Sequence, residues 1–142
     1  MSLTTERKIP LLRGVALFDG IDQEGLAMIA ERAVEVDFGD GRSIVRQGEV
    51  GTGFFLVTSG AARVVRDGTT IAEYGPGDFF GELSLLDGGP RIASVVATAP
   101  TTCLAIASWE FEALLEFQPR LAIAILKGVA RRLRAVSEEH RH

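Results

Sequence analysis

The sequence predicts a mainly β fold, an antiparallel sandwich or barrel with helices before it and two helices after it. Three observations carry that prediction. Between Ala33 and Ala107 the apolar residues fall into about seven short runs, with turn signals roughly every 8–12 residues. Before and after that stretch they recur at helical spacing instead. The 16 glycines supply turns in the number that such a fold needs.

The elements follow in order. Residues 4–32 form an N-terminal helical part. It opens with an apolar cluster (Leu11, Leu12, Val15, Leu17, Phe18) and the pair Asp19-Gly20. Asp22 is placed to cap a helix over 23–33, with Leu26, Ile29 and Ala30 on one face. Then the period changes: Val34, Val36 and Phe38 alternate with polar neighbours up to Gly39-Asp40-Gly41. Runs over 43–46, 54–57, 63–66 and 69–74 end at Gln47-Gly48-Glu49, Ser59-Gly60, Asp67-Gly68 and Gly75-Pro76-Gly77-Asp78. Runs over 95–99 and 103–107 flank Pro100. Ser108 is expected to cap a helix over 109–117, with Glu110 in its first turn and Phe111, Leu114 and Leu115 inward. Gln118-Pro119 interrupts it, because the residue before proline disfavours helix. A second helix is expected over 120–137. It carries one stripe of Leu121, Ile125, Val129, Leu133 and Val136, and a flank of Ile123, Leu126 and Ala130. Packing of that second flank against the same helix of another subunit, and packing of one face alone on the β region, both remain open.

Composition excludes several classes of function. The net charge of −4 does not support nonspecific nucleic-acid binding through overall charge. The single cysteine, Cys103, cannot form an internal disulfide; its apolar flanks read as a buried small hydrophobe, which suits a reducing, cytoplasmic setting. Residues 1–10 have no apolar core of a signal peptide. The 18 uncharged residues 92–109 are split by Pro100-Thr101-Thr102 and read as two buried strands rather than a membrane span. Both histidines, His140 and His142, follow the last helix, so the β region has no imidazole to hold a metal. No Ser/His/Asp set is visible either, and no catalytic cofactor or metal is expected.

The chemistry is concentrated in residues 75–95, GPGDFFGELSLLDGGPRIASV. Gly81 opens a short segment of good helix formers, 82–86, which Asp87-Gly88-Gly89-Pro90 stops. Free backbone N–H groups at such a start attract an anion. Arg91 can return to the same place with a planar fork of donors for a phosphate. Glu82 repels phosphate but can accept from a sugar hydroxyl beside it. A buried arginine without its phosphate is costly, so the empty site is expected to be wet. Gly75, Gly77 and Gly81 do not have the spacing of a dinucleotide fingerprint.

FGELSLL followed by PRIASV resembles the phosphate-binding cassette of the cyclic nucleotide-binding domain family, over about ten residue types at fixed spacing. VALFDGIDQEGLAMIA resembles the helical part that precedes the β region in that family, so the resemblance covers nearly the whole chain. It implies a double-stranded, jelly-roll-like β-roll in one domain spanning 1–142, with the roll at 33–107, the cassette at 79–94 and C-terminal helices at 108–139. It also implies that Gly81 and its neighbours bind the phosphate through N–H groups, Glu82 the ribose 2′-hydroxyl, and Arg91 the phosphate charge. ARRLRAVSEE resembles the long C-terminal helix of the catabolite activator protein branch. There the second arginine of the pair meets the cassette glutamate and a Thr-Ser pair meets adenine; the matching positions are Arg132, Val136 and Ser137. Val136 departs from the pattern, having the shape of threonine without its hydroxyl. The implied ligand-binding set is therefore Phe80, Gly81, Glu82, Leu83, Ser84, Arg91, Ile92, Ala93, Arg132, Val136 and Ser137.

The expected function is a noncatalytic sensor of a cyclic nucleotide. Cyclic AMP is preferred, because cyclic GMP binders of the family usually carry a threonine where Ile92 stands. Two alternatives are an interaction module without a ligand on the same fold, and a cupin-like enzyme, which the missing histidines argue against. The sequence ends just after the helix, with no DNA-binding element, as expected either of part of a longer regulator or of a sensor that acts on a partner.

Overall fold

Side-chain alternation along β3 (Gly53–Ser59) organises the molecule, because its two faces enter different cores. Phe54 and Leu56 pack with the helices, together with Leu104 and Ile106 of β8 (Thr101–Ala107). Val57 turns the other way, with Cys103 of β8, into the interior between two sheets; Phe55 is half-buried against it. The computed structural model describes residues 3–51, 53–81 and 89–139.

Among the described residues eight strands form two antiparallel four-stranded sheets. One has the order β1 (Val34–Phe38), β8, β3, β6 (Phe79–Phe80). The other has the order β2 (Ser43–Val45), β7 (Ser94–Ala97), β4 (Ala62–Arg66), β5 (Thr69–Tyr74). The sheets face each other across the second core, which is the roll that the sequence implies. Seven strands match the expected runs; β6 is the addition. It pairs with β3 at Phe55↔Phe80 and Leu56↔Phe79. Its two residues serve different cores, as adjacent strand residues point to opposite faces: Phe79 joins the helix-side core and Phe80 the roll interior.

Helices cover the outer face of the first sheet. In α1 (Thr5–Arg13) the Thr4 hydroxyl accepts from the Arg7 N–H at 3.3 Å. In α2 (Gln23–Arg32) Asp22 accepts from the Gly25 N–H at 2.8 Å, the cap that the sequence predicts. A turn of 3-10 helix, Ala16–Phe18, sinks Phe18 between Phe54 (ring centroids 5.7 Å apart) and Phe111 (6.3 Å). Phe111 belongs to α3 (Ser108–Phe117), so a single ring joins three layers.

The cap expected at Ser108 is not formed. Ala107 takes the N-cap position without a side-chain bond, and Ser108 is the first helical residue. The cause lies in the strand: Ala107 still pairs with Gly53, so the ladder runs directly into the helix.

The last helix, α4 (Pro119–Glu139), is anchored by its first half. Leu121 and Ile125 are buried in the helix-side core and Val129 is half-buried against it. The expected stripe does not continue inward: Leu133 and Val136 are exposed, as are Ile123 and Leu126 of the other flank. No helix among the described residues is long and apolar enough to cross a membrane.

Candidate functional site

Arg91 reaches the roll interior because the chain on either side of it is fixed. Its N–H donates to the Glu49 carbonyl at 2.8 Å, and its own carbonyl accepts from the Gly48 N–H at 2.9 Å. Val50 and Pro90 form a bridge beside that pair. The residue is only 8% exposed. Its Nη2 donates to the Gly53 carbonyl at 2.7 Å, and its guanidinium carbon lies 5.9 Å from the Phe55 ring centre. The chain thus meets part of the demand of a buried cation, where the sequence alone implies a wet site.

Gly81 lies against the same guanidinium. Its φ of +88° is one that side-chain-bearing residues rarely adopt. A β-carbon there would also run into the Arg91 guanidinium and come within 2.6 Å of the Gly53 carbonyl oxygen. Two independent constraints therefore require glycine. Behind it, Phe80 is stacked between Tyr74 (5.5 Å, 15°) and Phe55 (5.4 Å, 18°), a layer of rings beneath the arginine.

Gly81 and Arg91 open into a cavity of about 210 Å³. Five residues of the set drawn from the sequence line it: Phe80, Gly81, Arg91, Ile92 and Ala93. Glu82, Leu83 and Ser84 lie outside the described residues, as does the side chain of Arg132. Val136 and Ser137 sit on the exposed second half of α4 and do not line the cavity.

The rest of the wall lies outside that set, beginning with Pro90 beside Arg91. Val64 and Arg66 of β4, and Ile71, Ala72 and Tyr74 of β5, contribute one side; Val45 and Val95 contribute another. Two-residue parity places Arg66 on the face of the buried Ala62 and Val64, but Arg63 and Val65 match Arg66 and Val64 in type, so the sequence alone does not mark that face.

The hairpin is held over the cavity by a latch. Gln47 donates from Nε2 to Asp67 Oδ1 at 2.8 Å and accepts at Oε1 from the Asp67 N–H at 2.9 Å. Its own N–H donates to Ser94 Oγ at 2.8 Å. Asp67 holds a φ of +51°, which aspartate tolerates in tight turns.

The arrangement offers a buried guanidinium, a close backbone and an apolar wall. Cys103 is fully buried, and burial pushes its thiol up to about 11, which keeps it neutral and unreactive. Among the described residues no cluster of His, Cys, Asp or Glu could hold a metal ion.

The family model of the cyclic nucleotide-binding domain matches residues 35–117. The cAMP-dependent protein kinase regulatory subunit of Yarrowia lipolytica is 36% identical over 102 residues, covering 70% of this chain and 27% of that protein. The cyclic AMP receptor protein of Thermus thermophilus is 35% identical over 133 residues, covering 90% of this chain and 62% of that one. The chain thus spans less than two thirds of either relative. Among solved structures, the N-terminal domain of a transcriptional regulator from Streptomyces coelicolor A3(2) superposes with a TM-score of 0.85 at 33% identity, covering 93% of this chain and 98% of that one.

Proposed function

The chain belongs to the cyclic nucleotide-binding domain family, and we propose that it is a noncatalytic sensor whose ligand is a cyclic nucleotide, cyclic AMP first and cyclic GMP second. The observation that carries this reading is the meeting of Arg91 with Gly81 at the cavity. The guanidinium takes the charge of the ring phosphate, and the close backbone at Gly81 leaves room for the phosphate to approach N–H groups of the 81–84 segment. Glu82 accepts from the ribose 2′-hydroxyl. The base lies on the apolar wall of Val64, Ile71 and Ala72. Ile92 has no hydroxyl to offer a guanine edge, which favours adenine.

Output is a population shift: the ligand binds more tightly to the state in which the end of α4, with Arg132, Val136 and Ser137, closes over the base. The exposed residues Ile123, Leu126, Ala130 and Leu133 follow the 3-4-3 spacing of a coiled-coil seam, which supports a homodimer through this helix. The chain then acts as the cytoplasmic effector-binding part of a transcriptional regulator or another signalling protein.

Calorimetric titration with cyclic AMP tests the reading. Wild-type protein is expected to bind, and Arg91→Ala to bind at least about tenfold more weakly, as the loss of a charged hydrogen bond implies. Wild-type protein that binds no cyclic nucleotide would leave an interaction module on the same fold.

A further inference from the structure

Arg66 stands where an apolar residue is expected. Along β4 the inward positions run Ala62, Val64, Arg66, and the first two are buried in the roll interior. Arg66 continues that face at the hairpin end, exposed, and lines the same cavity as Arg91. Among the described residues no carboxylate lies within ion-pair distance of it. A cation on an inward face, with no acid among the described residues to neutralise it, is placed for something that enters the cavity.

The wall beside it indicates which part of a ligand that is. Ile71, 57% exposed, and Ala72 face the cavity from the paired strand of the same hairpin. An exposed apolar wall matches the flat, apolar portion of a nucleotide, which is its base. A guanidinium is planar and weakly hydrated, and stacks on a π face. The Gln47–Asp67 latch fixes the residue next to Arg66, so its backbone is ordered before the ligand arrives.

We propose that Arg66 is a base-gripping residue of this site, its guanidinium stacking on the base of the bound cyclic nucleotide while Arg91 takes the phosphate. The assignment rests on the sensor reading above.

Three proteins (wild type, Arg66→Ala, Arg66→Lys) are titrated with cyclic AMP and with ribose 3′,5′-cyclic phosphate, which has no base. Arg66→Ala is expected to weaken cyclic AMP roughly 3- to 30-fold and to leave the base-free compound unchanged. Arg66→Lys, which keeps the charge without the plane, is expected to recover little of the loss. Unchanged cyclic AMP affinity in Arg66→Ala overturns the assignment. So does an equal loss for both compounds, or full recovery by lysine, since either means that charge alone acts on the phosphate. Where the base-free compound binds too weakly to measure, the lysine variant decides. Wild-type protein that binds no cyclic nucleotide fails at the earlier step and overturns the sensor reading itself. Equal melting temperatures of the three proteins confirm that the exposed substitution leaves the fold intact.

Discussion

Arg91 donates a 2.7 Å hydrogen bond to the carbonyl of Gly53, 38 residues earlier in the chain. That bond ties the candidate phosphate-binding cation to the strand that separates the two cores. Anything that displaces the guanidinium therefore disturbs both the site and the sheet.

Gly81→Ala is expected to do this. The substitution places a β-carbon on a backbone with φ +88° and drives it toward both Arg91 and the Gly53 carbonyl. Strain of that kind costs about 1–3 kcal/mol. Denaturant unfolding should show a lower midpoint with an unchanged slope, and cyclic AMP affinity should fall with it. A midpoint equal to the wild type's would mean that the turn relaxes freely and that the close packing around Arg91 is not required.

Strand positions were legible in the sequence because alternation bounded by glycine pairs is a local signal: Val34, Val36 and Phe38 before Gly39 define β1 without further information. A two-residue strand such as β6 has no period to read, so nothing local separates the opposite destinations of Phe79 and Phe80. The bond from Arg91 to Gly53 depends on chain closure and leaves no local trace. Arg66 ends its run, and it is the burial of Ala62 and Val64 in the folded chain that assigns it inward. In α4 the stripe and its second flank are both legible, yet only the fold shows that the stripe is buried at Leu121 and Ile125 and exposed at Leu133 and Val136, with Ile123 and Leu126 of the flank exposed too.

Cys103 should impose an alkaline limit on stability. Its ordinary value is 9.0 and burial raises it to about 11 in the folded chain, because the thiolate loses its hydration. Well below pH 9 the thiol is neutral in both states and contributes no pH dependence. Between pH 9 and 11 the unfolded chain ionises while the folded chain does not, so stability falls by about 1.4 kcal/mol per pH unit from this group. Comparing wild type with Cys103→Ala across that range isolates the effect from lysine and tyrosine titration. Parallel curves for the two proteins would show that the thiol ionises equally well inside the roll.

Gln47→Ala should loosen the hairpin without disturbing either core. The substitution removes both hydrogen bonds to Asp67, while the Gln47 N–H bond to Ser94 survives. Two exposed bonds of about 0.5–1.5 kcal/mol each bound the cost. Amide exchange should accelerate at 66–70 and stay constant in β3 and β8. Acceleration spread evenly over both sheets would show that Gln47 supports the whole roll rather than the hairpin tip.

The two faces of α4 should separate in their response to substitution. Ile125 is buried against the body of the fold, so Ile125→Ala is expected to cost about 2–5 kcal/mol in unfolding free energy, whatever the oligomeric state. Leu126 and Leu133 are 68% and 66% exposed on the proposed seam. Leu126→Glu combined with Leu133→Glu should therefore leave secondary structure and the cavity intact. The pair of charges would face their copies across a dimer, where burying them unpaired is prohibitive. Sedimentation velocity should then change from dimer to monomer with the far-ultraviolet dichroism per residue little altered. A wild-type protein that sediments as a monomer at tens of micromolar would remove the seam, and with it the proposed homodimer through α4.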